Sequence, residues 1–422
     1  MALSGRSVDG TENLSPLSDF VRQLHEFREF GKATVETAFP EPDVEVPVFV
    51  NEFWTSKQRA ASPLHEISYR ACFKPQLPRF FIERLTEPGE VVYDPFMGRG
   101  TTLLESAMLG RVPLGCDINP LSRVLLSPRL NPPEIDEVVK RLEALPLDGK
   151  PDEWPEDLLV FYHPETLREL VALRSYFRER EAEAGALDPV DDWIRMVATN
   201  RLTGHSSGFF SVYTLPPNQA TSVASQRKIN EKRDQVPPRR EVVPIILKKT
   251  RNLLNRLAQE DREAIQSVAS RARLLTACAD DTPEIAEESV ALVVTSPPFL
   301  DVVDYQRDNW LRCWFNGIDA SEISIWQLNR EDRWMNAMTG VFQELRRVLK
   351  PGGLVAFEVG EVRGGELLME TLVVPAAGKA GLQAEMVVVN DQEFTKTANC
   401  WGVDNRKKGT NTNRIILLRK LD

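Results

Sequence analysis

The chain has 422 residues, enough for one large α/β domain carrying an insertion or for two domains. Its 42% hydrophobic and 27% charged content is that of an ordinary globular protein; no apolar run approaches the ~20 residues a bilayer crossing needs, and the polar start, without a secretory apolar core, predicts a cytoplasmic protein. A net charge of −10 excludes a uniformly basic nucleic-acid binder but not a local basic surface, and the scattered five cysteines and four histidines predict neither a disulfide framework nor a metal site.

In chain order, residues 1–50 mix Ser, Gly, Pro and acids around one helical stretch, Leu17 to Phe30, and are expected to form a loosely held, partly disordered arm. A helix is predicted after Lys74-Pro75, where Leu77, Phe80, Phe81 and Leu85 recur at near-helical spacing and Pro75 suits a first turn. The strand Glu90–Asp94 runs into PFMGRGTT, a helix over Leu103–Leu109 and a second strand, Val112–Asp117. The pattern then breaks: residues 121–270 read as mostly helical, with a Pro/Asn/Ser-rich centre near Thr214–Gln226. Strands return at Arg273–Cys278 and Ala291–Thr295, the second ending in Ser296-Pro297-Pro298-Phe299. Helices over Gln306–Phe315 and Arg333–Leu349 follow, then a turn at Lys350–Gly353, the strand Leu354–Glu358, and an edge hairpin of Glu385–Val389 with Arg414–Arg419.

Four motifs carry chemistry. In Asp94-Pro-Phe96-Met-Gly98-Arg-Gly100-Thr101-Thr102, glycines between strand and helix let backbone N–H groups approach a ligand. The third Gly of the dinucleotide fingerprint is missing, so the loop suits a smaller charged cofactor such as S-adenosylmethionine; alone, it could equally be a tight turn. Asp117 ends the next strand, where an acid can accept ribose hydroxyls or cap the helix beyond Pro120. Asp280, with Asp281 as competitor, is a candidate acceptor for an adenine amino group or another helix cap. In Thr295-Ser296-Pro297-Pro298-Phe299, the Ser296 hydroxyl and the Pro297 carbonyl can accept from an exocyclic amine, whose delocalised lone pair must be drawn toward tetrahedral geometry. The prolines hold the chain extended and supply no competing donor, while Phe299 can stack on a base. An isolated SPPF is better read as a rigid turn; its place after a strand, in a chain that also holds the glycine loop, favours catalysis.

DPFMGRGTT together with TSPPF resembles the amino-methyltransferases that modify DNA at cytosine N4 or adenine N6. The resemblance covers about residues 70–120 and 272–420. It implies a seven-stranded, mostly parallel Rossmann-like sheet over 51–122 and 271–422, with a largely helical insertion at 123–270 acting as target-recognition region. It assigns Lys74, Pro75, Asp94, Phe96, Gly98, Gly100, Thr101, Thr102, Asp117 and Asp280 to S-adenosylmethionine, and Ser296, Pro297, Pro298 and Phe299 to catalysis. The serine form of the tetrapeptide favours cytosine N4 over adenine N6.

The partner expected from this resemblance is duplex DNA with the target base flipped out; a cognate restriction endonuclease is open as a second. Phosphates would meet the basic stretch Arg227, Lys228, Lys232, Arg233, Arg239 and Arg240, which could otherwise be a solvated helix face. The loop bearing Arg406, Lys407, Lys408 and Arg414 is a second candidate, and Phe53-Trp54 with Lys57 and Arg59 a third, packing being at least as good a reading there. An RNA guanine-amino methyltransferase is less favoured, only about 70 residues preceding the core, and a decayed non-catalytic module is disfavoured by the intact motifs. No Pro-Cys dipeptide supports the cytosine-C5 route through a thiolate.

Overall fold

The computed structural model describes residues 16–55, 61–70, 72–148, 154–215, 219–298, 300, 305–326, 328–362, 367–391 and 412–421. The first part holds α1 (Pro16–Glu26), β1 (Val35–Thr37), β2 (Val48–Asn51), α2 (Gln76–Leu85), β3 (Val91–Asp94), α3 (Thr101–Met108) and β4 (Val112–Asp117). A run of helices follows: α4 (Leu121–Leu130), α5 (Ile135–Glu143), α6 (Pro164–Ala184), α7 (Pro189–Thr199), α8 (Val223–Arg233), α9 (Val242–Leu254) and α10 (Gln259–Ala269). Then come β5 (Arg273–Thr276), β6 (Val290–Thr295), α11 (Tyr305–Phe315), α12 (Glu331–Val348) and β7 (Leu349–Val359). A small pair, β8 (Glu361–Val362) and β9 (Leu367–Leu368), precedes α13 (Glu370–Lys379), β10 (Leu382–Asp391) and β11 (Thr412–Lys420).

The main sheet has nine strands in the order β1-β2-β10-β11-β7-β6-β3-β4-β5. Strands β5, β4, β3, β6 and β7 are mutually parallel, and β11 runs against both β7 and β10. Seven of the nine, β10 through β5, are the Rossmann-like sheet the sequence implies; the other two come from the N-terminal region. Side chains alternate between faces, as the two-residue period of a strand requires. Val92, Val294, Ala356 and Val388 pack toward α1 and α2, while Tyr93, Val293, Phe357 and Val389 pack toward α12 and α13.

Three expectations change. The loose arm is bound in its described part: Phe20 and Leu24 of α1 are buried, with the Phe20 ring 6.0 Å from that of Phe80 and 5.9 Å from that of Phe81. The final hairpin is paired as expected but is not the edge, because β2 lies parallel to β10 and occupies its free backbone groups. The turn at Lys350–Gly353 is an outward bulge within β7, since Val290 pairs with Leu349 and Leu292 with Leu354; Gly352, at φ +73°, supplies its left-handed residue. Among the described residues, no helix is long and apolar enough to cross a membrane.

Strand β3 continues through α3 to β4 on one side, while its other neighbour, β6, arrives only after the helical run. Strand order therefore reverses at β3 and β6, and the crevice beyond their carboxyl ends is the natural ligand site of such a sheet.

Candidate active site

A cleft of about 920 Å³, its open mouth included, lies at that crevice and falls within the size range of small-molecule sites. Strand β3 delivers Asp94 to it, 2% exposed. Thr295 Oγ1 donates to Asp94 Oδ1 at 2.6 Å, and the Phe96 amide donates to the same oxygen at 3.1 Å. Burial outweighs these bonds and raises the Asp94 pKa to about 7.

The glycine loop follows. Gly98 and Gly100 sit at φ +49° and +78°, the left-handed region that a side chain disfavours. A Cβ on Gly100 would lie 2.6 Å from the Leu126 methyls; one on Gly98 would stand 3.6 Å from the Tyr69 ring, at the cleft wall. Their amides point inward rather than to a ligand: Gly98 N–H donates to Asp117 Oδ2 at 2.8 Å and Gly100 N–H to the Met97 carbonyl at 2.5 Å. The glycines thus contribute space and a tight turn. Phe96, Gly98 and Thr101 line the cleft, while Thr102 is fully buried and donates to the Val294 carbonyl at 3.0 Å.

Asp117 and Ile118 extend the wall from β4. The second Asp117 oxygen accepts from the Asn119 amide at 2.9 Å, so each carboxylate oxygen keeps a lone pair for a further donor. Burial raises its pKa. Cys278 and Ala279, beyond β5, line the same end. Asp280 is not on that wall: it is exposed and its Cβ lies beside Gly340 of α12. The residue expected to face an adenine amine is therefore displaced from the wall by its two predecessors.

From β6 come Ser296 and Pro298, both at the cleft, with Pro297 buried behind them. Trp334 Nε1 holds the Pro298 carbonyl at 3.1 Å. The carboxylate of Glu358, at the end of β7, stands beside the Ser296 hydroxyl, which favours its ionised form. Glu358 is 5% exposed, also accepts from Asn413 Nδ2 at 3.0 Å, and has its pKa raised by burial. Phe299, Lys57, Arg59 and the Arg406–Lys408 loop lie outside the described residues.

Cys72 and Phe73 close the near side, whereas Lys74 and Pro75 stand behind them; burial lowers the Lys74 pKa. Arg99 staples this segment to the glycine loop, donating to the carbonyls of His65, Ile67 and Phe73 and to Thr101 Oγ1. The helical run reaches the same rim: Arg70 Nη1 donates to Gln219 Oε1 at 3.2 Å and pairs with Asp308 at 3.0 Å, while the Ala220 amide donates to the Asp308 carbonyl at 2.9 Å.

The basic stretch divides. Arg227, Lys228, Lys232 and Arg233 of α8 are exposed, the last lying 3.8 Å over the Tyr213 ring. The helix is held by amides, Gln226 Nε2 to the Tyr213 carbonyl at 3.0 Å and Asn230 Nδ2 to the Val160 carbonyl at 2.7 Å. Arg239, by contrast, pairs with Glu165 and Glu169, and the Arg240 backbone is bonded to Thr166. Of the other two candidates, Arg414 pairs with the buried Glu370, and Phe53 and Trp54 are core residues, 2% and 3% exposed.

Sequence reasoning missed several residues at the site, among them Tyr69, Cys72, Ile118, Cys278 and Ala279 on the cleft wall. Glu358 carried a signal, an acid ending a strand one place along the sheet from Ser296. Trp326, on the cleft wall with Ser324 and Ile325, sits in a stretch with no periodicity and gave none. With Asp94 and Asp117 on its wall, the cleft suits a cationic, partly apolar ligand.

Residues 34–122 match the model of a DNA methylase family. The chain is 26% identical over 292 residues to the Type II methyltransferase M.BsoBI of Geobacillus stearothermophilus, covering 61% of this chain and 53% of that protein. It is 33% identical over 88 residues to the Type II methyltransferase M.MjaII of Methanocaldococcus jannaschii, covering 21% and 17%. A third match, 36% over 98 residues, is to the Type II methyltransferase M.MvaI of Kocuria varians, covering 22% and 20%. The chain thus spans about half, or less, of the length of these relatives.

Proposed function

We propose, for a chain that belongs to the DNA amino-methyltransferase family, that it transfers a methyl group from S-adenosylmethionine to an exocyclic amino group of duplex DNA, cytosine N4 before adenine N6. One observation carries the reading. The loop after β3 and the Ser-Pro-Pro after β6 border one cleft and are tied together twice, through Thr295 to Asp94 and Thr102 to the Val294 carbonyl.

The cofactor, when bound, supplies an electrophilic methyl on a sulfonium. The residues present fit it: Asp117 has acceptor capacity for ribose hydroxyls, Phe96 and Ile118 offer apolar faces, and the carboxylates favour its positive charge. The target base must leave the duplex to reach Ser296, at a cost of a few kcal/mol. With Glu358 beside its hydroxyl as the acceptor for its proton, the Ser296 oxygen would present lone pairs to the amine, drawing its hydrogens aside and stabilising positive charge as it develops on nitrogen. Glu358 is a positioning residue here, fixing the hydroxyl rotor. The Pro297 carbonyl and Phe299 complete the proposed catalytic set as second acceptor and stacking partner. Transfer is a direct in-line displacement without a covalent enzyme intermediate: the amine's lone pair would form the N–CH3 bond as the S–CH3 bond breaks with its electron pair kept by the departing thioether, and the methylated nitrogen would release one proton to water.

The exposed cations of α8, Arg227, Lys228, Lys232 and Arg233, are the proposed phosphate contacts. A cytoplasmic setting and a cognate restriction endonuclease belong to the same proposal, the named relatives being Type II methyltransferases. The test is to incubate the protein with radiolabelled S-adenosylmethionine and either duplex DNA or total RNA, then digest the product to nucleosides. Labelled N4-methylcytosine is expected; N6-methyladenine would shift the target atom, and label in RNA alone would overturn the reading. Ser296→Ala should lower turnover far more than cofactor affinity, and an equal fall in both would remove the serine from catalysis.

A further inference from the structure

We infer that Trp326 forms the outer wall of the cofactor's adenosyl end, an inference that rests on the methyl-transfer reading. Among the described residues between α11 and α12 there is no helix or strand, and an internal pattern orients the segment. Glu322 and Ser324 are exposed, while Ile323, Ile325 and Trp326 are partly buried, with Ser324, Ile325 and Trp326 on the cleft wall. Its start is pinned by the Ile318 amide on the Cys313 carbonyl at 2.9 Å and by Asp319 Oδ1, which accepts from the Ser321 amide at 2.8 Å. Ile318 and Ile323 also share a shallow hollow with Ile118 and Pro120, so the segment leans over the end of β4.

That end of the cleft is where Asp117 would take a ribose. A purine beyond the ribose needs apolar contact on both faces. Ile118 and Ala279 supply it from the sheet. The Trp326 ring, 6.4 Å from the Phe96 ring and inclined at 64° to it, supplies a π-surface from outside. Trp193, Trp310 and Trp334 each anchor the indole N–H on a protein oxygen. Among the described residues none holds that of Trp326, which borders solvent at the cleft mouth.

The experiment measures S-adenosylhomocysteine binding by calorimetry to the wild-type chain, Trp326→Ala and Trp326→Phe, with thermal melts of each. Loss of one aromatic stack predicts a roughly five- to hundred-fold weaker Kd for Trp326→Ala, with Trp326→Phe restored to within a few-fold. The same ratio is expected for 5′-methylthioadenosine, which lacks the amino-acid end. A wild-type Kd retained by Trp326→Ala overturns the inference while leaving the methyltransferase reading intact. So does a loss seen with S-adenosylhomocysteine but not with methylthioadenosine, since the wall would then stand at the wrong end. No binding by the wild-type chain overturns the cofactor reading itself.

Discussion

Replacing Asp94 with asparagine isolates the electrostatic cost of the cleft. Asparagine has the same shape, and its oxygen can still accept from Thr295 Oγ1 and the Phe96 amide, which both bond one oxygen of the aspartate. What it removes is ionisation. Burial raises the Asp94 pKa from 3.8 to about 7, so the folded state holds the proton more tightly than the unfolded chain. The contribution to stability is full below the unfolded value and is lost as pH rises through about 7. At roughly 1.4 kcal/mol per pKa unit the whole loss is about 4 kcal/mol, of which about 2 falls between pH 5 and 7. Asp94→Asn carries no such slope. Thermal melts of both proteins from pH 5 to 8.5 should show the variant gaining on the wild type up to pH 7 and keeping a constant lead above it. Subtracting one curve from the other removes Glu358, which burial shifts in the same direction. The variant should also bind S-adenosylmethionine more weakly at pH 8, because a cation favours the ionised carboxylate. Parallel melting curves across the whole range would refute the reasoning, since Asp94 would then not be titrating where its burial requires.

Gly100→Ala should destabilise by about 2–5 kcal/mol, combining about 1–2 for a left-handed residue with a side chain and about 1–3 for overpacking against Leu126; an unchanged melt would show that the turn has room to spare. The double variant Lys228→Ala/Lys232→Ala should weaken binding to all duplexes and reduce the slope of log affinity against log salt by about 2, measured by fluorescence anisotropy. Arg239→Ala should leave that slope unchanged and lower the melting temperature instead, because its guanidinium is held by Glu165 and Glu169; a fall in slope would return Arg239 to the DNA surface.

The elements that sequence reading located best are those whose environment is local. Buried strands such as Val112–Asp117 declare themselves by apolar runs, and the glycine loop by residues that only a tight turn needs. The nine-stranded sheet was not legible, because the two extra strands are short and join it only where β2 pairs with β10, far along the chain, β1 pairing in turn with β2. The same holds for α1, whose Phe20 and Leu24 become core residues only against Phe80 and Phe81.

The site divides along the same line. Sequence by itself located the strand ends and the turn that carry Asp94, the two glycines, Asp117 and Ser296, because strand, turn and residue type are set within a few neighbours. Only the tertiary structure decided which side chains reach the cleft. It brought Glu358 to Ser296 and Trp326 to Phe96, turned Asp280 away, and paired Arg239 inside the helical region while leaving α8 exposed. Those outcomes depend on burial and partners contributed by distant segments, and no local pattern encodes them.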